Sequence, residues 1–394
     1  MSIIVSVVLI GNLEGRRCKE FLAAAQMKQH IDLHTLSFAA ILSSSSCKTI
    51  IATLFEQLRS NRVLIKIESP GENFVIERSL VARGAVESKR LTPADALCLQ
   101  EDFGRIRFLK EWYVGFCKML SDLGNHINQQ ARDRNLTLRY VNTPDAIAIL
   151  FDKPKVQTRL ADNNLPVPKT IPQLASAQDY GDIKSILMDE KSHKVFIKPA
   201  YGSSASGIMA LQLKADGSAA QAYTSIELVE EHGEVKLYNS LKIHRYREKQ
   251  IARILDILIH ETIYAEQWLP KAQTDGLLFD IRLLSITGQA THGILRCSTS
   301  PMTNLHLGNH RKDISTLPDY QNILSQCQPL LQQVSEIFPG ADNIGFDILL
   351  SKRLRQPYIL ELNAFGDLLT NHRFNHKSTQ ENLLDSALAE LTYA

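Results

Sequence analysis

The chain is 394 residues long, 44% hydrophobic and 22% charged, with a net charge of +2 at neutral pH. That length holds two or three packed domains, and the composition is that of an ordinary globular protein rather than a disordered or fibrous one. The near-balanced charge gives no global argument for nucleic acid or an anionic membrane as partner.

Ile3–Ile10 is apolar but too short to span a bilayer. No Lys or Arg precedes it and no small-residue cleavage site follows, so it predicts a first β-strand rather than a signal peptide. No other run reaches transmembrane length, and the expectation is a cytoplasmic protein. The six cysteines (Cys18, Cys47, Cys98, Cys117, Cys297, Cys327) are scattered without a C-x-x-C pair. Reduced thiols fit that spacing better than a disulfide framework or a zinc site.

The first strand ends at Gly11-Asn12, and helical spacing runs from Arg16 to about His30. Four serines at 43–46 form a loop. Arg62–Glu68 reads as a second strand, followed by the turn Ser69-Pro70-Gly71-Glu72 and a helix through Val75–Ala82. Strands alternating with helices predict a parallel sheet, whose ligands gather at the carboxyl ends of strands. Gly11–Arg17 and Glu68–Glu72 lie there, as plain turns or as substrate loops. Leu91 to about Arg134 has helical apolar spacing, with Leu109, Trp112, Tyr113, Phe116 and Leu120 as core residues. Leu136–Val141 is a short strand before Asn142-Thr143-Pro144, where a first α/β domain, residues 1–141, ends.

Val195-Phe-Ile-Lys198-Pro199-Ala-Tyr-Gly202-Ser203-Ser204-Ala205-Ser206-Gly207 reads as a strand and a small-residue loop, with a second strand after it. Such a loop lets backbone N–H groups approach phosphate oxygens, and Lys198 supplies a point charge. It is neither a Walker A loop nor a dinucleotide fingerprint, because no helix follows. The basic run Lys242, Arg245, Arg247, Lys249 and Arg253 fits a solvated helix face, or a site for an acidic partner. Asn343–Leu350 and Tyr358–Asn363 predict two antiparallel strands. Glu361 and Asn363 share a face, Leu360 and Leu362 point into packing, and Asp347 comes alongside Glu361. Three oxygen ligands on adjacent strands suit Mg²⁺.

The order of these motifs resembles the ATP-grasp superfamily, carboxylate–amine ligase type, which includes D-alanine–D-alanine ligase, glutathione synthetase and ribosomal-protein glutamate ligase. The likeness runs from about Asn142 to about Gly366. It implies an α/β and α+β protein: two α+β lobes gripping ATP, with the small lobe at 142–220 and the large lobe at 221–394, preceded by the α/β domain. Ile149-Leu-Phe-Asp152-Lys153 is similar to the family's entry segment, so Lys153 and Lys198 take its phosphate-lysine positions and Gly202, Ser203, Ser204 and Gly207 its phosphate loop. Tyr264-Ala-Glu266-Gln267-Trp268-Leu269 resembles the hinge, which implies a carboxylate at Glu266 and adenine contacts from the backbone of Gln267 and Leu269. Asn304 and His306 fall in a loop like the family's Asn-Leu-His-x-Gly-Gly, with Asn309 in place of the second glycine. Asp347, Glu361 and Asn363 match its metal triad, which implies two Mg²⁺, or Mn²⁺ in their place. The first-domain segments Gly11–Arg17 and Ser69–Glu72 are similar to those of a further branch whose acceptor the residues leave open.

Two departures qualify the likeness. Ala364-Phe365-Gly366-Asp367 follows the metal Asn where glutamate ligases place a small residue and proline. Gly345 stands where D-alanine ligases place an oxyanion arginine, so Arg282 and Arg296 become the candidates. Asp280-Ile-Arg282 lies on one strand and Arg296 on its expected neighbour. They converge on a carboxylate substrate, unless Asp280 simply pairs with one arginine. His306/His310 and His372/His376 have helical zinc spacing but lack the Glu of a metalloprotease helix, and structural roles are the simpler reading. The expected reaction activates a small-molecule or peptide carboxylate as an acyl phosphate and joins it to an amine, releasing ADP and phosphate. A kinase or a non-catalytic ATP-binding regulator of the same fold is the alternative. No nucleic acid or membrane partner is expected, and a homodimer is compatible with the sequence.

Overall fold

The computed structural model describes residues 4–44, 46–202, 206–304, 309–352 and 356–393. Its first unit comprises β1 (Val5–Gly11), α1 (Arg16–Gln26), β2 (Ile31–Ser37), α2 (Phe38–Ser43), α3 (Cys47–Glu56), β3 (Arg62–Ile67), α4 (Phe74–Gly84), α5 (Pro93–Leu97), α6 (Leu109–Asp133) and β4 (Thr137–Tyr140). The strands form a parallel sheet in the order β2-β1-β3-β4. β1 is buried along its whole length, as its unbroken apolar run requires of a central parallel strand. The expected first helix stops at Gln26, leaving room for β2, which the sequence reading missed. The helical spacing of Leu91–Arg134 resolves into α5, an irregular stretch, and α6.

The second unit begins with α7 (Pro144–Leu150), α8 (Lys153–Asp162) and α9 (Tyr180–Asp189). Thr143 and Asp152 cap α7 and α8 through their side-chain oxygens. An antiparallel sheet follows: β5 (Lys194–Pro199), β6 (Met209–Leu213), β7 (Ala220–Glu231), β8 (Glu234–Arg247), then α10 (Glu248–Leu258) and β9 (Ile263–Gln267), in the order β8-β7-β6-β5-β9. The division expected at 220 falls where β7 begins, inside this sheet. Continuous pairing carries the small lobe to Gln267. The basic run expected on a helix is divided, with Lys242, Arg245 and Arg247 on edge strand β8 and Lys249 and Arg253 on α10.

The third unit holds β10 (Gln273–Thr274), β11 (Leu277–Ile286), β12 (Gln289–Ser298), β13 (His310–Asp313), α11 (Tyr320–Ile337), β14 (Asn343–Leu350), β15 (Pro357–Asn363) and α12 (Thr379–Tyr393). Its antiparallel sheet runs β13-β12-β11-β14-β15, with β10 beside β11. α12 leaves this sheet and packs Leu383, Leu384 and Ala387 with Phe21 and Ala25 of α1, so the end of the chain completes the first unit's core. Among the described residues no helix is long and apolar enough to cross a membrane.

A buried charge cluster joins the first unit to the third. Lys66 and Glu68 are wholly buried, with Lys66 Nζ 2.9 Å and Arg17 Nε 2.8 Å from the Glu68 carboxylate. Arg17 also donates to the Phe365 carbonyl, just beyond β15. Burial alone would raise the Glu68 pKa, but the two cations outweigh it and hold the group at about 2. Because this lies below the ordinary value near ~4.3, the ionised form stabilises the fold above that value, and the stabilisation is lost as pH falls from ~4.3 towards ~2. Glu68→Gln should therefore flatten the acid limb of a melting-temperature profile. At neutral pH it should cost roughly 3 kcal/mol in chemical denaturation, because it strands the buried Lys66 and takes the carboxylate partner from the partly exposed Arg17.

Candidate active site

The site is built from cross-strand register. Asp280 lies opposite Arg296 on β12, Arg282 opposite Asp347 on β14, and Asp347 opposite Glu361 on β15. Alternation along β11 puts Asp280 and Arg282 on one face and the fully buried Ile281 on the other. The side chains form a ladder of alternating charge. Arg282 Nε lies 2.5 Å from Asp347 Oδ1, and its Nη1 lies 2.8 Å from Asp367 Oδ2. Arg296 Nε lies 2.7 Å from Asp280 Oδ1, and its Nη2 lies 2.9 Å from Asp347 Oδ2. Lys271 Nζ extends the ladder to Asp280 Oδ2 at 2.8 Å and to Thr303 Oγ1 at 2.5 Å. Burial opposes ionisation of Asp280, but Arg296 and Lys271 hold its pKa well below the usual carboxylate range.

The β14–β15 register slips by one residue beside Asp347, leaving Leu360 without an opposite number. Such a bulge turns two successive side chains to one side. Leu360 and Glu361 both line the cleft, whereas Leu362 is buried behind it. Strict alternation had put Leu360 into packing, and the bulge corrects that expectation. Asn363 donates its amide N–H to the Gly345 carbonyl at 3.2 Å, which leaves its side-chain oxygen for another partner.

The second unit's sheet supplies the facing wall. Lys198 bonds the buried Glu266. Burial pushes Glu266 upward in pKa and Lys198 pulls it back, with a net rise. Lys153, at the start of α8, donates through Nζ to the Gly202 carbonyl at 2.5 Å and lies 3.6 Å from Glu361 Oε1. Burial would raise Glu361 too, but Lys153, Lys198, Arg282 and Arg296 keep it below its ordinary value. Gly207 closes the loop against Pro199. At the crossing between lobes, the Gln267 N–H donates to Lys169, while among the described residues the Leu269 N–H meets no acceptor. Ile208, Leu269, Met302, Leu349 and Leu360 give this end of the cleft apolar walls that suit a flat ring.

Asn304 also lines the cleft, and Asn309 ties its loop by donating to the Met302 and Asn304 carbonyls at 2.8 and 3.0 Å. An amide staple thus stands where a second glycine was expected. Ser203, Ser204 and His306 lie outside the described residues. Lys271 and the pairing role of Asp367 escaped the sequence reading, since neither falls in a recurring spacing. Among the described residues no three His, Cys, Asp or Glu are grouped to hold a metal ion, and the candidate set is two carboxylates and one amide. It fits a hard cation: Asp347 Oδ1 is buried and accepts no aligned hydrogen bond despite the nearby Arg282.

The pattern of the YheC/D-like ATP-grasp family matches residues 147–394. The chain belongs to this family. No curated protein matches it by sequence. Among solved structures, the ATP-grasp ligase PsnB, complexed with a phosphomimetic variant of its minimal precursor, Mg and ADP, superposes with a TM-score of 0.55 at 13% identity, over 99% of this chain and 100% of that one. D-cycloserine synthetase DcsG gives 0.53 at 10% identity, covering 98% and 99%. D-alanine–D-alanine ligase from Bacillus anthracis gives 0.51 at 10% identity, covering 99% and 98%. The ATP-grasp fold is common to all of them.

Within that fold, position 345 leaves little room for a side chain. A Cβ on Gly345 would lie 3.1 Å from the Gly366 carbonyl, because the loop after Asn363 folds back over β14. Gly366 itself has φ +61°, and a Cβ there would collide with Asn343 Oδ1 and Leu284. Gly366→Ala should lower stability by about 2–3 kcal/mol in urea denaturation. Gly233→Ala, also at positive φ but in open space, should cost only about 1 kcal/mol.

Proposed function

We propose that the chain is an ATP-dependent carboxylate–amine ligase working through an acyl phosphate. The observation that carries this is the pairing of every candidate phosphate cation with a candidate acid: Lys153 with Glu361, Lys198 with Glu266, and Arg282 and Arg296 with Asp347. These charges offset one another, Lys153 and Glu361 between the two units and the other pairs within their own sheets. A triphosphate brought in with its cations supplies both signs at once, so the basic groups turn to phosphate and the acidic groups to metal without stranding a buried charge. Asp347, Glu361 and Asn363 would hold two Mg²⁺, or Mn²⁺ in their place. When bound, these ions neutralise phosphate charge. The base lies between Leu269, Met302 and Leu360, read by the Gln267 carbonyl and the Leu269 N–H, with Glu266 behind. Gly202, Gly207 and Asn304 would enclose the phosphates.

A substrate carboxylate oxygen attacks the γ-phosphorus and ADP leaves. An amine then attacks the acyl carbon, the C–O bond to phosphate breaks, and phosphate departs as the amine loses its proton. The protein's part is alignment, charge stabilisation and exclusion of water. Arg282 is the more accessible arginine and is assigned to the carboxylate and its phosphorylated form. Arg296 is almost wholly buried between Asp280 and Asp347. The simple ion pair weighed for Asp280 thus describes its immediate surroundings, and its role is to position Asp347. The PsnB and MdnC structures were solved with precursor peptides and D-alanine–D-alanine ligase with ATP, which supports a peptide or small-molecule carboxylate as substrate here.

The test is ADP release with and without a panel of amines. Amine-dependent release with amide formation is expected. Release that no amine alters, with a stable phosphorylated product, identifies a kinase, and nucleotide binding without release identifies a regulator. Glu361→Gln and Asp347→Asn should each lower turnover ~100-fold or more while the fold survives. Near-normal turnover of either at saturating Mg²⁺ would overturn the metal assignment.

A further inference from the structure

Two tyrosines from different units stack at the root of the phosphate loop. The rings of Tyr113, on α6 of the first unit, and Tyr201, next to Gly202, lie 4.1 Å apart between centroids and 10° from parallel. The Tyr113 hydroxyl donates to the Ala148 carbonyl at 3.1 Å, in the last turn of α7. α7 leads through Phe151 and Asp152 directly into Lys153. The Lys153 N–H in turn donates to the Ala200 carbonyl at 3.2 Å, and its Nζ to the Gly202 carbonyl. Lys153 is thus held at both ends by the residues flanking Tyr201, and Tyr113 touches both of the segments that meet there.

The helix carrying Tyr113 is anchored to the second unit. Glu261, a buried residue following α10, accepts from the Phe108 N–H at 3.1 Å and the Leu109 N–H at 2.7 Å, at the start of α6. A carboxylate there satisfies two unpaired donors and complements the helix dipole. Arg90 bonds the same carboxylate at 2.5 Å. Just upstream, the Ile106 N–H donates to Leu237 and the Asn239 N–H to Gly104, so this stretch adds to the edge of β8. Tyr113 itself is only partly buried, and its partner sits in a Gly/Ser stretch with little else to pack.

We propose that Tyr113 is a positioning residue for ATP, supplied by the first unit, that holds Lys153 and the Gly202 carbonyl in register for the phosphates. The proposal rests on the ATP-site reading above. Losing the ring frees Tyr201 and with it both ends of Lys153, so the effect falls on nucleotide rather than on the amine. An aromatic pair of this kind corresponds to roughly a three- to tenfold change in affinity.

The experiment uses the full chain, with calorimetry of Mg·ATP binding and steady-state KM values for ATP and for the amine. Tyr113→Leu and Tyr201→Leu should each raise the ATP Kd and KM by roughly three- to tenfold with the amine KM unchanged, and the double variant should be no worse than either single one. Tyr113→Phe, which keeps the ring, should stay within about twofold of the parent. A lower melting temperature with parental ATP affinity would show a merely structural role and overturn the proposal, as would losses that add in the double variant. If Tyr113→Leu does not fold, Tyr201→Leu decides by the same criterion. An unaltered chain that binds no Mg·ATP would refute the ATP-site reading itself. An unaltered chain that binds, with variants that bind equally well, would refute only the role of Tyr113.

Discussion

Asp347 is buried between two guanidinium groups and directly opposite Glu361, and much of the site's electrostatics follows from that placement. A lone charged carboxylate at this depth would destabilise the fold. Here Arg282 and Arg296 compensate it, and they in turn need Asp367 and Asp280, which needs Lys271. The charges form a chain because each added ion requires the next. Its members Lys271, Asp280, Arg296 and Asp347 line the cleft itself. On the proposed function, a metal-bound triphosphate would bring charges of both signs to that lining and preserve its balance.

The backbone features around Asp347 serve the same end. The bulge at Leu360 brings an apolar side chain and the Glu361 carboxylate to one face, so one strand gives the cleft both an apolar and an acidic wall. The turn after Asn363 crosses β14 closely enough that a Cβ at position 345 would meet the Gly366 carbonyl at 3.1 Å. That crossing carries Asp367 to Arg282 and the Phe365 carbonyl to Arg17. The loop that crowds position 345 is therefore the loop that anchors Arg282 and ties it to the first unit.

What could be read from the sequence was what local periodicity encodes. An antiparallel pairing of two neighbouring strands joined by a short turn brings Asp347 alongside Glu361, and the structure pairs these two residues. β2 was missed because Asp32 and His34 interrupt its apolar run. Only the fold shows that the Asp32 carboxylate is used, accepting from Ser6, the Arg59 backbone and His34. The basic run at 242–253 reads as a solvated helix face from its charge alone, whereas its first part belongs to β8, which pairs with β7 in a hairpin and is covered by the stretch at Gly104–Ile106. The bulge at Leu360 belongs to a pair of strands rather than to either alone. The neutralising partners of Arg282 and Arg296, Asp280, Asp347 and Asp367, come from three different stretches of chain, so the sequence disclosed the ligand types but not the charge balance that holds them.

The same distinction explains why Tyr113 looked like a core residue. On α6 it falls at helical spacing with Trp112 and Phe116, and Phe116 is indeed fully buried. Tyr113 is turned towards the phosphate loop instead, because Glu261 fixes the first turn of the helix against the second unit and sets its rotation. A buried carboxylate holding two backbone N–H groups is a geometrically narrow constraint, and Arg90 narrows it further from the opposite side. Rotation of α6 by even part of a turn would break both bonds and remove the ring from Tyr201. The first unit thus meets the rest of the chain at two fixed points, Arg17 at the Phe365 carbonyl beyond β15 and Tyr113 at the Tyr201 ring. Each is backed by an ion pair whose carboxylate is buried, Glu68 and Glu261, so a shift of this unit would be felt at both ends of the proposed nucleotide cleft.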